Sequence, residues 1–91
     1  MAAESQSKTK ERIAFITGTS SGFGMLTAVE LARRGARVVA AMRDPSRSGE
    51  LTDRARQAGV SERIDIRKLD VNDHEAVGRV VGEVRDTYGK I

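Results

Sequence analysis

The sequence predicts an α/β fold, a doubly wound parallel sheet covered by helices, of which this chain carries the first β-α-β-α-β-α half. Three observations lead to this prediction. Short runs rich in β-branched residues alternate with segments whose apolar residues recur at helical spacing. The connections between them are short, which favours right-handed crossovers. A glycine-rich turn joins the first strand to the first helix.

The first half of the chain begins with residues 1–10, which lack the apolar segment of a secretory signal and are predicted to be a disordered leader. Residues 12–17 are a short apolar run, predicted to be a strand buried on both faces. Residues 22–34 change to a helical period. The predicted helix carries Leu26, Val29 and Ala32 or Arg33 on one face and ends at Gly35, and a second strand follows over residues 37–42.

The second half repeats the alternation. A turn at Asp44-Pro45-Ser46 leads into a largely exposed helix predicted over residues 48–58 and closed by Gly59. Residues 64–69 alternate between polar and apolar and are predicted to be the third strand. The last helix is predicted to have Asn72 as its N-cap with Glu75 three residues on, to end at Gly89, and to carry one apolar face: Ala76, Val77, Val80, Val81 and Val84.

Length and composition limit the classes of function. With 91 residues the chain can form one domain with a modest core. The absence of cysteine excludes a disulfide scaffold and a cysteine metal site, and we expect no metal and a reducing, cytoplasmic location. No window is apolar enough to span a membrane. The net charge is +3, but basic residues alternate with acidic ones, which does not favour a nucleic-acid interface.

The glycine-rich turn occupies residues 17–24, Thr-Gly-Thr-Ser-Ser-Gly-Phe-Gly. Gly18 lets the chain leave the strand sharply, Gly22 lets a ligand approach the backbone, and Gly24 lets the helix pack close to the sheet. The free N–H groups of the helix start, its dipole and the hydroxyls of Ser20 and Ser21 favour a pyrophosphate. The alternative is a glycine-rich turn without a ligand. A P-loop NTPase is excluded, because no Lys-Ser or Lys-Thr follows.

With its Gly-x3-Gly-x-Gly spacing, the chain resembles the short-chain dehydrogenase/reductase family from about Arg12 to Ile91. The resemblance also rests on Gly-Ala-Arg-Val-Val before the second strand, on Leu-Asp-Val at 69–71 and on the closing Tyr-Gly-Lys-Ile. It implies a Rossmann-like fold, a dinucleotide cofactor and hydride transfer between that cofactor and an alcohol or carbonyl substrate. It further implies cofactor-binding residues in the turn: Gly18, Ser20, Ser21, Gly22, Phe23 and Gly24.

The end of the second strand is where the family distinguishes NAD from NADP. The usual place of its ribose-binding acid corresponds to Met42, which cannot accept those hydrogen bonds. Arg43 follows directly and Arg47 is a second candidate cation, so the sequence predicts NADP(H). If the strand ended two residues later, Asp44 would serve the ribose and the preference would reverse to NAD. A solvated Arg43 paired with Asp44 is a further alternative.

Asp70 and Val71 follow the third strand at the same edge of the sheet as the glycine turn. The resemblance implies that Asp70 accepts a hydrogen bond from the adenine amino group and that the Val71 backbone meets the ring. The alternative for Asp70 is a capping acid before the last helix.

The single histidine, His74, is predicted to be a solvated surface residue. The family's catalytic tyrosine requires a lysine four positions after it, whereas Lys90 is only two positions after Tyr88. Tyr88 is therefore predicted to finish the helix on its apolar face.

The family's catalytic serine, tyrosine and lysine cannot be assigned in this chain, so we predict no catalytic residue. Ile91 resembles the first residue of a fourth strand, and we expect a fragment or a truncated product. In the strand order 3-2-1-4 the first strand would then be an open apolar edge, which we expect another chain or a homo-oligomer to complete.

Three functions stay open. The first is the cofactor-binding portion of an NADP(H)-dependent short-chain oxidoreductase. The second is a non-catalytic nucleotide-binding or interaction module complete at this length, and the third is a basic nucleic-acid binder. No substrate is predicted.

Overall fold

The fold alternates strands and helices along the chain. The computed structural model describes residues 2–6 and 12–89. Two short 3-10 turns, Pro45–Arg47 and Ser61–Arg63, precede the second helix and the last strand. The strands and α-helices are β1 Ala2–Gln6, β2 Arg12–Ile16, α1 Gly22–Arg33, β3 Arg37–Met42, α2 Gly49–Gln57, β4 Ile64–Lys68 and α3 His74–Tyr88.

The sheet confirms the predicted parallel core. Its strand order is β1-β2-β3-β4, and β2, β3 and β4 are parallel neighbours. Each parallel pair is connected through a helix, because a parallel crossover has to return the chain to the other end of the sheet. Three of the four strands, and the three helices between and after them, thus follow the predicted order.

The leader differs from the prediction. Residues 2–6 form β1, which pairs antiparallel with β2 so that Ala2 lies opposite Ile16 and Gln6 opposite Arg12. The prediction of a disordered leader is wrong for this segment, and the open edge is paired within the chain where a second chain was expected. The physical reason is that β2 is a buried apolar strand, and without β1 the N–H and C=O groups along its outer edge would have no hydrogen-bond partners. The rest of the leader, Lys90 and the strand start predicted at Ile91 lie outside the described residues.

Side chains of the sheet point alternately into two cores. One core lies under α1 and α2 and includes Ile16, Val38 and Leu51. The other lies under α3 and includes Phe15, Val39 and Val84. Because both faces are covered, all residues of β2 after Arg12 are buried, as a continuous apolar run predicts. Within the described ranges, no helix combines the length and the apolar character that a membrane crossing requires.

Helix α1 presents its predicted face to the core in part. Ala32 is buried and Val29 packs against the core, as the spacing predicts, whereas Leu26 is 48% exposed. The other buried residues of the helix are Met25 and Ala28. Gly24, Ala28 and Ala32 recur every four residues, and such small residues let a helix approach the sheet closely. Gly35 follows the helix with φ 99°, as predicted.

Helix α2 is largely exposed, as predicted, and α3 packs its predicted apolar face against the core. Leu51 and Ala55 are the buried residues of α2, and Val80 and Val84 those of α3. The predicted N-cap of α3 is wrong by one residue. Asp73 is the cap, and its Oδ1 accepts a hydrogen bond of 3.1 Å from the Ala76 N–H. Asn72 and Asp73 both belong to the residue types that favour an N-cap, and only the position of the first helical turn decides between them.

Candidate functional site

The glycine turn leaves the carboxyl end of β2 and enters α1 within five residues. Gly18 has φ 67°, a left-handed conformation that favours glycine, and turns the chain out of the strand. A Cβ on Gly24 would lie 2.8 Å from the carbonyl carbon of Gly18 and closer still to its oxygen. Only a hydrogen atom fits there, so Gly24 lets the helix start directly against the turn, as the spacing predicts.

The first turn of α1 has open N–H groups. Ser21 is the N-cap residue, with φ −164°, yet its side chain makes no capping hydrogen bond to the described residues, and the first turn contains no acidic residue. Helix α3, by contrast, is capped by Asp73 and has Glu75 in its first turn. An anion at the start of α1 would therefore meet unsatisfied donors and the positive end of the helix dipole.

Thr19 anchors the turn to the neighbouring strand. It is 0% exposed, and its hydroxyl donates a hydrogen bond of 3.0 Å to the Ala41 carbonyl on β3. Its backbone N–H points to the same carbonyl at 3.4 Å. Sequence reasoning missed this residue, because four hydroxyl residues stand between positions 17 and 21 and nothing in their order indicates which one is buried. Through the hydrogen bond to Ala41, Thr19 ties the turn to β3.

A cleft of about 580 Å³ opens at the carboxyl edge of the sheet, between the turn and the ends of β3 and β4. It brings together four of the predicted site residues, Gly18, Ser20, Arg43 and Val71. The other residues of its wall come from the same three segments: Thr17, Met42, Asp44, Arg47 and Leu69. An edge where parallel strands end and helices begin is the usual ligand-binding edge of an open α/β sheet.

The remaining predicted site residues lie beside this cleft. Ser21, Gly22 and Phe23 are exposed at the start of α1, and the Phe23 side chain is 89% exposed. Asp70 lies at the rim, where its Oδ2 is 4.0 Å from the Nε of Arg43. A smaller hollow of about 300 Å³ shares Thr17 and Val71 with the cleft. It continues toward the exposed His74 and the half-buried Val77 at the start of α3.

The end of β3 is where the sequence placed it. The strand stops at Met42, which is 2% exposed, and Arg43 and Asp44 lie in the connection that follows. Asp44 Oδ1 accepts hydrogen bonds from the backbone N–H of Ser46 at 3.0 Å and from its hydroxyl at 2.6 Å. These bonds lower the pKa of Asp44, with smaller contributions from the charges of Arg47 and Lys68. Asp44 thus caps the 3-10 turn, and the later strand end that would assign it to a ribose does not occur.

Asp70 is not the cap of α3, since Asp73 has that position. The Oδ1 of Asp70 accepts a hydrogen bond of 2.9 Å from the Asn72 N–H, and this bond closes a tight turn directly after β4. The other carboxylate oxygen faces Arg43 across the rim. Val71 is 46% exposed and borders both hollows.

Tyr88 lies at the opposite end of α3 from the cleft and packs against the core under that helix, as predicted. Its hydroxyl donates a hydrogen bond of 2.7 Å to Asp65 Oδ2, and the guanidinium carbon of Arg37 lies 5.9 Å from its ring centre. Burial, followed by the bond to Asp65, raises the pKa of Tyr88.

In the described part of the chain, no three residues among histidine, cysteine, aspartate and glutamate gather as metal ligands.

A parallel α/β sheet with a glycine turn, an uncapped helix start and a cleft at its carboxyl edge is an arrangement typical of nucleotide-binding α/β proteins. The profile of the family described as short chain dehydrogenase matches residues 12–91. The chain belongs to that family.

Individual relatives agree with the family match. An uncharacterized oxidoreductase of Bacillus subtilis, YxnA, is 40% identical over 83 residues, which are 91% of this chain and 23% of that protein. The apo structure of glucose dehydrogenase from Caenorhabditis elegans has a TM-score of 0.74 and 31% identity, covering 85% of this chain and 33% of that one. A metagenomic short-chain oxidoreductase solved with NADP has a TM-score of 0.75 and 27% identity, covering 85% of this chain and 34% of that one. The chain spans about a quarter of the length of the curated relatives it matches.

Proposed function

We propose that this chain is the cofactor-binding portion of a short-chain oxidoreductase that transfers hydride between NADP(H) and an alcohol or carbonyl substrate. The observation that carries the proposal is the cleft at the carboxyl edge, bordered by the glycine turn on one side and by Arg43 and Arg47 on the other. The family match supports the class of reaction. When bound, the nicotinamide ring supplies or accepts the hydride.

The pyrophosphate is assigned to the turn. The open N–H groups at the start of α1 fit an anion, and the exposed Ser21 and half-buried Ser20 add hydroxyl donors. Gly22 has φ 62° and no atom within 4 Å of the place of a Cβ, so its backbone is open to a phosphate. Such a helix start contributes about 0.3–1 kcal/mol per charge at the surface and about 2 kcal/mol when partly buried. Thr19 positions this arrangement through Ala41.

The adenosine end is assigned to the ends of β3 and β4. Arg43 and Arg47 are both exposed and border the cleft, so they can bind a 2′-phosphate by charge-assisted hydrogen bonds. Met42 accepts no hydrogen bond from a ribose hydroxyl, and the Oδ1 of Asp44 already accepts two bonds from Ser46. These features support NADP(H) over NAD(H). Asp70 and Val71 are assigned to the adenine.

The test compares NADPH and NADH binding in the wild-type chain and in Arg43→Ala. We expect the wild type to prefer NADPH. Arg43→Ala should weaken NADPH binding about tenfold or more, the value of one charge-assisted pair of about 1.5–3 kcal/mol, and leave NADH almost unchanged. Arg85→Ala, which removes an exposed arginine near the end of α3, is the matched control. Equal affinity for both cofactors in the wild type and in Arg43→Ala would contradict the assignment.

We also propose a cytoplasmic location. It is supported by a sequence without cysteine, which suits a reducing compartment.

A further inference from the structure

Two arginines and Asp70 lie at the rim of the cleft, and within the described ranges Asp70 forms an ion pair with only one of these arginines. Arg43, at the end of β3, faces Asp70, at the end of β4, with 4.0 Å between Arg43 Nε and Asp70 Oδ2. Arg47 borders the same cleft, and among the described residues it forms no ion pair. Asp70 therefore already partly neutralises Arg43 at close range, whereas the nearby Asp44 carboxylate acts on Arg47 only at longer range.

From this pairing we infer that Asp70 lowers the preference of the site for NADP(H) by holding Arg43, so that a 2′-phosphate has to displace the Asp70 carboxylate. The inference rests on the proposed function, and it adds a second role to a residue assigned to adenine. Asp70 acts here as a positioning residue for Arg43. Its charge weakens NADP(H) binding and leaves NAD(H) binding nearly unaffected, because only NADP(H) carries the competing phosphate.

The physical argument is one of competition between two anions for one guanidinium. A carboxylate at 4 Å attracts Arg43 and repels a phosphate that approaches the same group. The Arg43 side chain is 77% exposed and that of Asp70 is 45% exposed, so water screens the pair, and the effect has the size of a surface ion pair. Such a pair corresponds to about a two- to fivefold change in affinity, and the change must shrink as salt screens the charges.

Asp70→Asn separates the charge from the other features of Asp70. The asparagine side-chain oxygen still accepts from the Asn72 N–H, so the tight turn after β4 is kept. The substitution removes the negative charge and replaces the other acceptor oxygen with an NH2 group, which donates. We expect the preference for NADPH over NADH, measured as the ratio of the two dissociation constants, to rise about two- to fivefold in Asp70→Asn, because any change at the adenine is common to both cofactors.

The experiment measures NADPH and NADH affinity at low and at high salt for the wild type, Asp70→Asn, Arg43→Gln and the double variant. The gain in NADPH preference from Asp70→Asn should decrease at high salt, because salt screens the charges. It should largely disappear in the Arg43→Gln background, since the four proteins form a double-mutant cycle that isolates the coupling of the two side chains. Asp86→Asn is the control, because it changes the net charge equally at an exposed position in the last turns of α3.

Wild-type NMR gives a readout that does not depend on folding of a variant. The side-chain Nε–H signal of Arg43 should shift when adenosine 2′,5′-bisphosphate is added, and much less when 5′-AMP is added. An Arg43 signal that responds equally to both ligands would overturn the inference. So would NADPH preference in the wild type that Asp70→Asn leaves unchanged, and this result would leave the proposed function standing. Absence of binding by either cofactor to the wild type would overturn both.

Discussion

Replacing Gly24 by alanine tests whether the turn and α1 are packed as closely as the structure indicates. The added Cβ would lie 2.8 Å from the Gly18 carbonyl carbon and 3.1 Å from the Thr17 carbonyl oxygen. Both are backbone atoms, so neither can rotate away as a side chain would. The Gly18 carbonyl oxygen is closer still, and an ordinary contact needs about 3.4 Å or more, so the helix start has to move from the turn by more than about 0.6 Å.

The cost follows from two opposing effects. An extra methyl group in a close-packed position costs about 1–3 kcal/mol. Alanine in a helix is favoured over glycine by about 0.5–1 kcal/mol, which offsets part of that cost. We therefore expect Gly24→Ala to lower the free energy of unfolding by up to about 2.5 kcal/mol. For a domain of this size each kcal/mol lowers the melting temperature by about 4–8 °C.

The assay is thermal and urea unfolding followed by circular dichroism, with Gly78→Ala as the matched control. Gly78 is also a helical glycine, but nothing lies within 4 Å of its Cβ position, so only the helix preference acts and the variant should be stabilised. Gly24→Ala should also weaken NADPH binding, since the open N–H groups move with the helix start. A Gly24→Ala chain that is as stable as Gly78→Ala would refute the close packing of turn and helix.

Three further changes probe the anchor, the far end of α3 and the sheet edge. Thr19→Val should cost about 1–3 kcal/mol by leaving a buried carbonyl without its side-chain donor, and Thr19→Ser should restore most of this in the same urea titration. Tyr88 has its pKa raised from the ordinary 10.0, so its protonated form adds stability that is present below about pH 10 and lost as pH rises through the raised value. Tyr88→Phe should flatten this alkaline loss in a pH series of melts, and an unchanged alkaline limb would count against the bond to Asp65. Deletion of residues 2–6 should expose the edge of β2 and cause self-association in analytical ultracentrifugation, whereas a monomer at the concentration of the full chain would show that β1 does not protect this edge.

The parallel core and the turn could be predicted because their signals are local. Apolar runs ending at glycine predict buried strands, and residues 17–24 combine a strand end, three spaced glycines and a helix start. The placement of Met42 at the end of β3 also followed from the sequence, and with it the position of Arg43 on the rim. These features depend on residues close in the chain.

The features that escaped prediction depend on contacts between distant residues. Strand β1 has the composition Ala-Ala-Glu-Ser-Gln, which is poor in strand-forming residues, and it pairs because β2 offers an apolar edge. Burial of Thr19 is set by the Ala41 carbonyl, 22 positions away. The ion pair of Arg43 with Asp70 likewise joins the ends of two strands that only the sheet brings together.

The central claim is that residues 17–24 hold the phosphates of a dinucleotide, and amide NMR of the labelled chain during NADPH titration tests it most directly. We expect the largest shifts at the backbone N–H groups of residues 18–24, with a second group at Arg43 and Val71 on the opposite wall of the cleft. Saturable shifts that leave residues 18–24 unaffected, or no shifts with NADPH and NADH alike, would contradict the account.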